Sequence, residues 1–212
     1  MNKTRILLLS TLCLGLAALP PGLLAQRGPQ DTWYLDKEVP LPAMPGLNMP
    51  HGFDIAPNGD VYVPSRDNDR VSVWGADGSF KTAWGSYGSA DGQLDAPHAL
   101  AIGPSEVYVT EMGNDRVQVF DLQGNFLRKW GSYGSADGQF NNPWSIALDV
   151  NGSSVSEVYV VEYYGHRVQV FDANGTFLRK IGVGQLNRPV DVKIGPDGLV
   201  YVSSSSHTRI KV

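Results

Sequence analysis

"WGSYGSADGQ" stands at residues 84–93, and the same ten letters stand again at residues 130–139. The offset, from Trp84 to Trp130, is 46 residues. The similarity extends outward in both directions. "VYV" occurs four times, centred on Tyr62, Tyr108, Tyr159 and Tyr201. Each copy is followed by a segment opening on arginine: "RVSVW" from Arg70, "RVQVF" from Arg116 and again from Arg167, "RIKV" from Arg209. Each is preceded by a proline-led apolar stretch, "PHGFDIAP", "PHALAIGP", "PWSIALDV" or "PVDVKIGP". The prolines are Pro50, Pro97, Pro143 and Pro189, so the spacings are 47, 46 and 46 residues. A fixed period in that range marks a propeller or a solenoid.

The beat inside each unit chooses between them. "VYV" and "RVQVF" alternate every second residue, which is strand periodicity. Between them lie turn signals such as "PNGD", "ADG", "LQG", "ANG" and "PDG", whose glycines supply the positive φ of a tight hairpin. No segment after residue 25 carries a helical apolar stripe. Each unit reads as four short antiparallel strands, in the first unit 52–56, 60–63, 70–74 and 80–84, and four such strands make a propeller blade. The expected fold is all-β, with blades at 47–93, 94–139 and 140–185 and an incomplete one at 186–212. The repeated decapeptide is then the end of an outermost strand plus the link to the next blade, made bendable by Gly85, Gly88 and Gly92. The third link is shorter, "IGVGQ" at 181–185, and the third blade has an insertion, "NGSSVSE" at 151–157, in its first turn.

The N-terminus differs in kind. Lys3 and Arg5 precede an apolar run at 6–19, which Pro20, Pro21 and Gly22 then break. The run falls short of the roughly 20 residues of a membrane span. Residues 1–25 therefore read as a secretory signal cut after Ala25, with an uncleaved anchor as the alternative. The one cysteine, Cys13, lies in this run. The exported chain would hold no disulfide and no membrane span, and would depend on a packed core. Loss of Lys3 and Arg5 would also move the formal net charge from −4 to −6. An acidic surface does not attract phosphate backbones, so nucleic acid is disfavoured as a partner.

These motifs resemble the NHL-repeat β-propellers. The carriers are the proline-led first strand, "VYV", "GNDRVQVFD" at 113–121 and "GNFLRKWG" at 124–131, and the resemblance covers residues 47–212. It implies four-stranded antiparallel NHL-type blades in a six-bladed ring, of which about four are present. Alternatively "TWYLDKEVPL" at 32–41, in the segment 26–46 before the blades, supplies the last blade's outer strand and closes a four-bladed ring. Closure removes exposed sheet edges.

Links and the loops between second and third strands emerge on one face. His51, His98, Trp144 and Val190, each following its repeat's proline, should lie at the channel mouth. The loops at 65–69, 111–115, 162–166 and 203–208 should ring it, and loops on a rigid scaffold are where ligands bind. The expected ligand-binding face comprises Asp67, Asp69, Glu111, Asp115, Trp144, Glu162 and Tyr164, taking a peptide, glycan or protein ligand. His51 and His98 are either ligands of a metal such as zinc or hydrated polar residues of the channel. The acidic loop residues offer oxygens to Ca²⁺, although their spacing matches no calcium loop. Arg70, Arg116, Arg167 and Arg209 recur in every blade and are expected to bridge loop carbonyls or carboxylates.

"PHG" and "PHA" resemble the zinc-ligand positions of the peptidyl-α-hydroxyglycine amidating lyases, a propeller family in which three such histidines sit on alternate blades. Here two sit on adjacent blades. That resemblance implies Arg66 as an active-site arginine and Tyr163 as a catalytic base on the substrate hydroxyl, with arginine and metal stabilising the developing charge. Otherwise Arg66 is a loop charge and Tyr163 a rim aromatic packed on its neighbour. No G-x-S-x-G elbow or phosphate loop occurs. The cysteine-free exported chain excludes the zinc domain of a ubiquitin ligase. The sequence thus points to an exported binding module, with a metal-assisted lyase or hydrolase as the alternative.

Overall fold

A computed structural model of the chain describes residues 23–27, 33–38, 46–205 and 209–211. Residues 1–22 of the expected export signal lie outside them. Strands β1 (Leu23–Arg27) and β2 (Trp33–Glu38) form a two-stranded sheet of their own. The first blade is β3 (Asp54–Ile55), β4 (Val61–Ser65), β5 (Arg70–Trp74) and β6 (Phe80–Trp84). The second is β7 (Pro97–Ile102), β8 (Glu106–Glu111), β9 (Arg116–Asp121) and β10 (Phe126–Trp130). The third is β11 (Pro143–Asn151), β12 (Ser154–Glu162), β13 (Arg167–Phe171) and β14 (Phe177–Ile181). A three-stranded fourth follows as β15 (Pro189–Ile194), β16 (Val200–Ser204) and β17 (Arg209–Lys211). Every strand pairs antiparallel with the next in its blade, and the only helical element among the described residues is a short 3₁₀ turn, Arg66–Asn68. The fold is an all-β propeller arrangement of blades.

The two-residue beat of "VYV" explains how the blades pack. Alternate side chains of a strand point to opposite faces. In β8, Tyr108 faces the third blade, packing with Val158, Val160 and Phe171. Its neighbours Val107 and Val109 face the first blade, packing with Tyr62, Val71 and Val73. The same division repeats at Tyr159 against Val192 and Val202. The core is thus a series of seams between blades. Tyr62, Tyr108 and Tyr159 are buried, whereas Tyr201 is only half-buried, because no described blade covers its face.

The links are held from beneath. Arg116 donates to Ser89, Ala90 and Gln93 carbonyls and pairs with Glu111 at 2.6 Å. Gln118 donates to the Gln93 carbonyl and accepts from Gly92 N–H. The second decapeptide is gripped the same way by Arg167, Glu162 and Gln169. In the first blade Ser65 and Ser72 take the Glu and Gln positions, and Arg70 reaches the Gly46 carbonyl. Each link ends on a buried plug, Leu94, Phe140 or Leu186. Gly131, at φ 99°, lets Phe140 come so close that a Cβ there would lie 2.5 Å from its ring.

Two local expectations change, and the third blade's insertion takes a defined form. Segment 32–41 does contain a strand, but β2 pairs with β1 rather than with the fourth blade. A partner a few residues away costs little loop-closure entropy. Strand β1 also straddles the expected cleavage point at Ala25. The insertion at 151–157 does lie at the third blade's first turn, where it lengthens β11 and β12 into a hairpin that turns at Gly152 and Ser153, and Val155 packs on the core. The first blade's inner strand is reduced to two residues, with Pro50 bridging separately to Ser65.

Candidate ligand site at the channel mouth

Residues 50–53, just before β3, and the innermost strands β7, β11 and β15 line an open cavity of about 500 Å³, bounded by His51, His98, Trp144, Ser145, Asp191 and Lys193 among others. What aims these side chains is a repeated break in pairing. Pro97 pairs with Glu111, yet the next pair is Ala99 with Thr110. His98 is therefore the extra residue of a bulge, and Trp144 and Val190 hold the same place in β11 and β15. A bulge re-aims a side chain out of the strand's alternation. The residue before each proline is also fixed. Met49, Ala96, Asn142 and Arg188 all have φ between 48° and 63°. Asp69 accepts the N–H of Ala96, Asp115 that of Asn142, and His166 Nδ1 that of Arg188.

The result is a chain of stacked rings across three blades. His51 and His98 lie 4.3 Å apart, centroid to centroid, with planes 20° from parallel. His98 meets Trp144 at 4.1 Å, and Trp144 stacks on Tyr163 at 4.6 Å. Tyr164 packs edge-on to Tyr163 at 4.9 Å, and the Arg188 guanidinium sits 5.8 Å above the Tyr163 ring. His98 Nδ1 is 2.6 Å from the Trp144 carbonyl oxygen. An oxygen acceptor there requires the proton on Nδ1, which leaves Nε2 a bare lone pair. The Nε2 atoms of both His51 and His98 are buried without a hydrogen-bond partner. Burial, then the neighbouring His51, pushes the His98 imidazole down to about 4. Burial and the Arg66 cation also lower that of His51.

The expected site residues divide sharply. His51, His98, Trp144, Tyr163 and Tyr164 come together in the stack. Arg66 opens the 3₁₀ turn beside the His51 end, its N–H on the Met49 carbonyl, whereas Tyr163 stands at the other end. Glu111 and Glu162 do not belong to a ligand face: both are fully buried and spent on Arg116 and Arg167. Burial raises the Glu162 carboxyl, with Arg167 opposing. Asp69 and Asp115 are committed to backbone N–H groups of the following link, and burial raises Asp115. Asp67 pairs loosely with Arg66 at 3.9 Å. The acidic set therefore does not converge on a cation. Among the described residues no three His, Cys, Asp or Glu side chains gather as metal ligands. For zinc, the two unpartnered imidazole Nε2 atoms and the Trp144 carbonyl that fixes the His98 tautomer suit a metal. The ligand number does not, since a catalytic zinc takes three protein ligands. Sequence reading missed Arg188, Lys193 and the Ser145–Asp191 hydrogen bond at 2.7 Å. The one signal for Arg188 was its departure from the uncharged residues at Met49, Ala96 and Asn142.

No protein-family profile matches the sequence, and no curated protein does. Solved structures do. Kuenenia stuttgartiensis hydrazine synthase aligns with a TM-score of 0.59 at 18% identity, over 77% of this chain and 45% of that one. Virginiamycin B lyase from Staphylococcus aureus aligns with a TM-score of 0.53 at 16% identity, over 76% of this chain and 54% of that one. A catalytically inactive variant of that lyase with quinupristin gives 0.56 at 17%, over the same shares. At this identity the likeness carries the propeller fold and no more. The chain spans about half the length of the structures it matches. Among the described residues no helix is long and apolar enough to cross a membrane.

Proposed function

We propose that this chain is an exported NHL-type propeller that binds a peptide, glycan or protein segment at its channel mouth. The observation that carries the reading is the ring stack from His51 through His98 and Trp144 to Tyr163 and Tyr164, beside an open cavity. Rigid aromatic groups with a polar edge offer contact area at low entropic cost. Blades two and three hold their links by buried clamps, so the surface is preorganised. The basic start and the apolar run before Pro20 support export. The test is capture on peptide and glycan arrays by the wild-type chain beside Trp144→Ala. Capture lost in the variant, with melting cooperative in both proteins, supports the reading, and capture equal in both contradicts it.

One observation favours a second reading, a metal-assisted lyase. The Nε2 atoms of His51 and His98 are buried without a hydrogen-bond partner, the His98 tautomer is fixed by a carbonyl, and the two would supply nitrogen ligands to a zinc. Elemental analysis of purified wild type and His51→Ala separates the two. Substoichiometric zinc in both is expected for the binding module. Stoichiometric zinc that disappears in the variant supports the lyase.

A further inference from the structure

The protein is acidic, and it neutralises most of its own cations. Of the lysine and arginine side chains described, seven lie within 2.7 Å of a carboxylate oxygen. Four do not. Arg70 is turned to the Gly46 carbonyl. The other three, Arg66, Arg188 and Lys193, all stand at the channel. Arg66 flanks the His51 end of the ring stack and has only the loose contact with Asp67. Arg188 is exposed and lies over the Tyr163 ring at the opposite end. Lys193 is exposed and borders the cavity. One carboxylate shares that lining, Asp191, and it accepts a hydrogen bond from Ser145.

A cation left without a close carboxylate is free to attract an anion, and an anion brought to it gains Coulomb energy. A single small anion cannot answer all three, because the stack separates Arg66 from Arg188 by three successive ring contacts of 4.1–4.6 Å. Resting on the binding reading above, we infer that the ligand is an acidic peptide, with carboxylate side chains on either side of an aromatic residue. The carboxylates meet Arg66, Arg188 and Lys193, and the aromatic residue lies on the Trp144–Tyr163 part of the stack. Guanidinium groups suit this role, since their planar fork matches a carboxylate.

Calorimetric titration of the full chain tests the inference with blocked probes: acetyl-Glu-Tyr-Glu-amide, acetyl-Gln-Tyr-Gln-amide, acetyl-Lys-Tyr-Lys-amide and an oligogalacturonate. The Glu probe is expected to bind about tenfold or more tighter than the Gln probe, and the Lys probe to bind weakest. The advantage should shrink as salt rises from about 50 to about 300 mM, and should vanish in the Arg66→Gln, Arg188→Gln, Lys193→Gln triple variant. Equal binding of Glu and Gln probes overturns the inference while leaving the binding site standing. So does an advantage that survives in the triple variant. Tighter binding of the oligogalacturonate replaces the peptide by an acidic glycan. Silence of all peptide probes overturns the acidic-peptide assignment, and silence on the arrays as well removes the binding reading with it.

Discussion

Arg116 Nε lies 2.6 Å from Glu111 Oε1 inside the second blade, and the pair is what fastens the link to the blade. Glu111 also accepts from Asp95 N–H, Asn114 and Gln118, so its carboxylate is saturated. Arg116 carries three link carbonyls on its remaining nitrogens. Glu111→Ala would leave a buried guanidinium without its counter-charge, which costs about 3–5 kcal/mol. The expected outcome is a large fall in the urea midpoint, with Glu162→Ala behaving alike. A loss under about 1 kcal/mol in either variant would show that the links do not depend on the pair.

The seams between blades make a graded expectation. Tyr108 is fully buried, and its hydroxyl donates to Glu106 at 2.7 Å. Removing a buried aromatic costs about 3–5 kcal/mol. Tyr108→Ala should therefore lower the melting temperature sharply. Tyr201→Ala, at the half-buried equivalent in the fourth blade, should cost clearly less. Equal losses would mean that the fourth blade is covered on its outer face.

His98 makes stability depend on pH. Burial sets its folded value at about 4, against an ordinary 6.5. The unfolded chain thus binds the proton more readily, so stability rises with pH across that interval. The contribution is fully present above about 6.5 and is lost as pH falls towards 4. Linkage gives a loss of about 2 kcal/mol between pH 7 and pH 5. His51, lowered by burial and Arg66, adds in the same direction. Glu106, lowered by its bond to Arg128, acts only below the ordinary carboxylate range. Urea titrations at the two pH values should show the fall in wild type and a flatter response in His98→Phe. An identical slope in the variant would assign the acid sensitivity elsewhere.

Fold and site were unequally legible. The strand beat at Tyr62, Tyr108 and Tyr159 and the spacing of the prolines carry the blades, because alternation and turn chemistry are local. Glu111 and Glu162 looked like loop carboxylates because they stand between strand motifs. Each is in fact the last residue of its strand, paired directly across from the arginine five positions on. That spacing, with a glutamine two residues further, is visible in the sequence once the pair is known. The partner of segment 32–41 was not legible, because alternation sets the faces of a strand and not its neighbour. Nor was the ring stack, which depends on bulges at His98 and Trp144 that no periodicity displays.

The central claim is that the mouth recognises its ligand through the ring stack without a metal. The direct measurement is calorimetric affinity, with EDTA present throughout, of the strongest array ligand for the wild-type chain and for Trp144→Ala. The Trp144 carbonyl persists in that variant, so the bond to His98 Nδ1 can remain. Binding by wild type despite the chelator, weakened about tenfold or more in the variant, is the expected result. Binding that disappears from wild type with EDTA, or that is unchanged in Trp144→Ala, would contradict it.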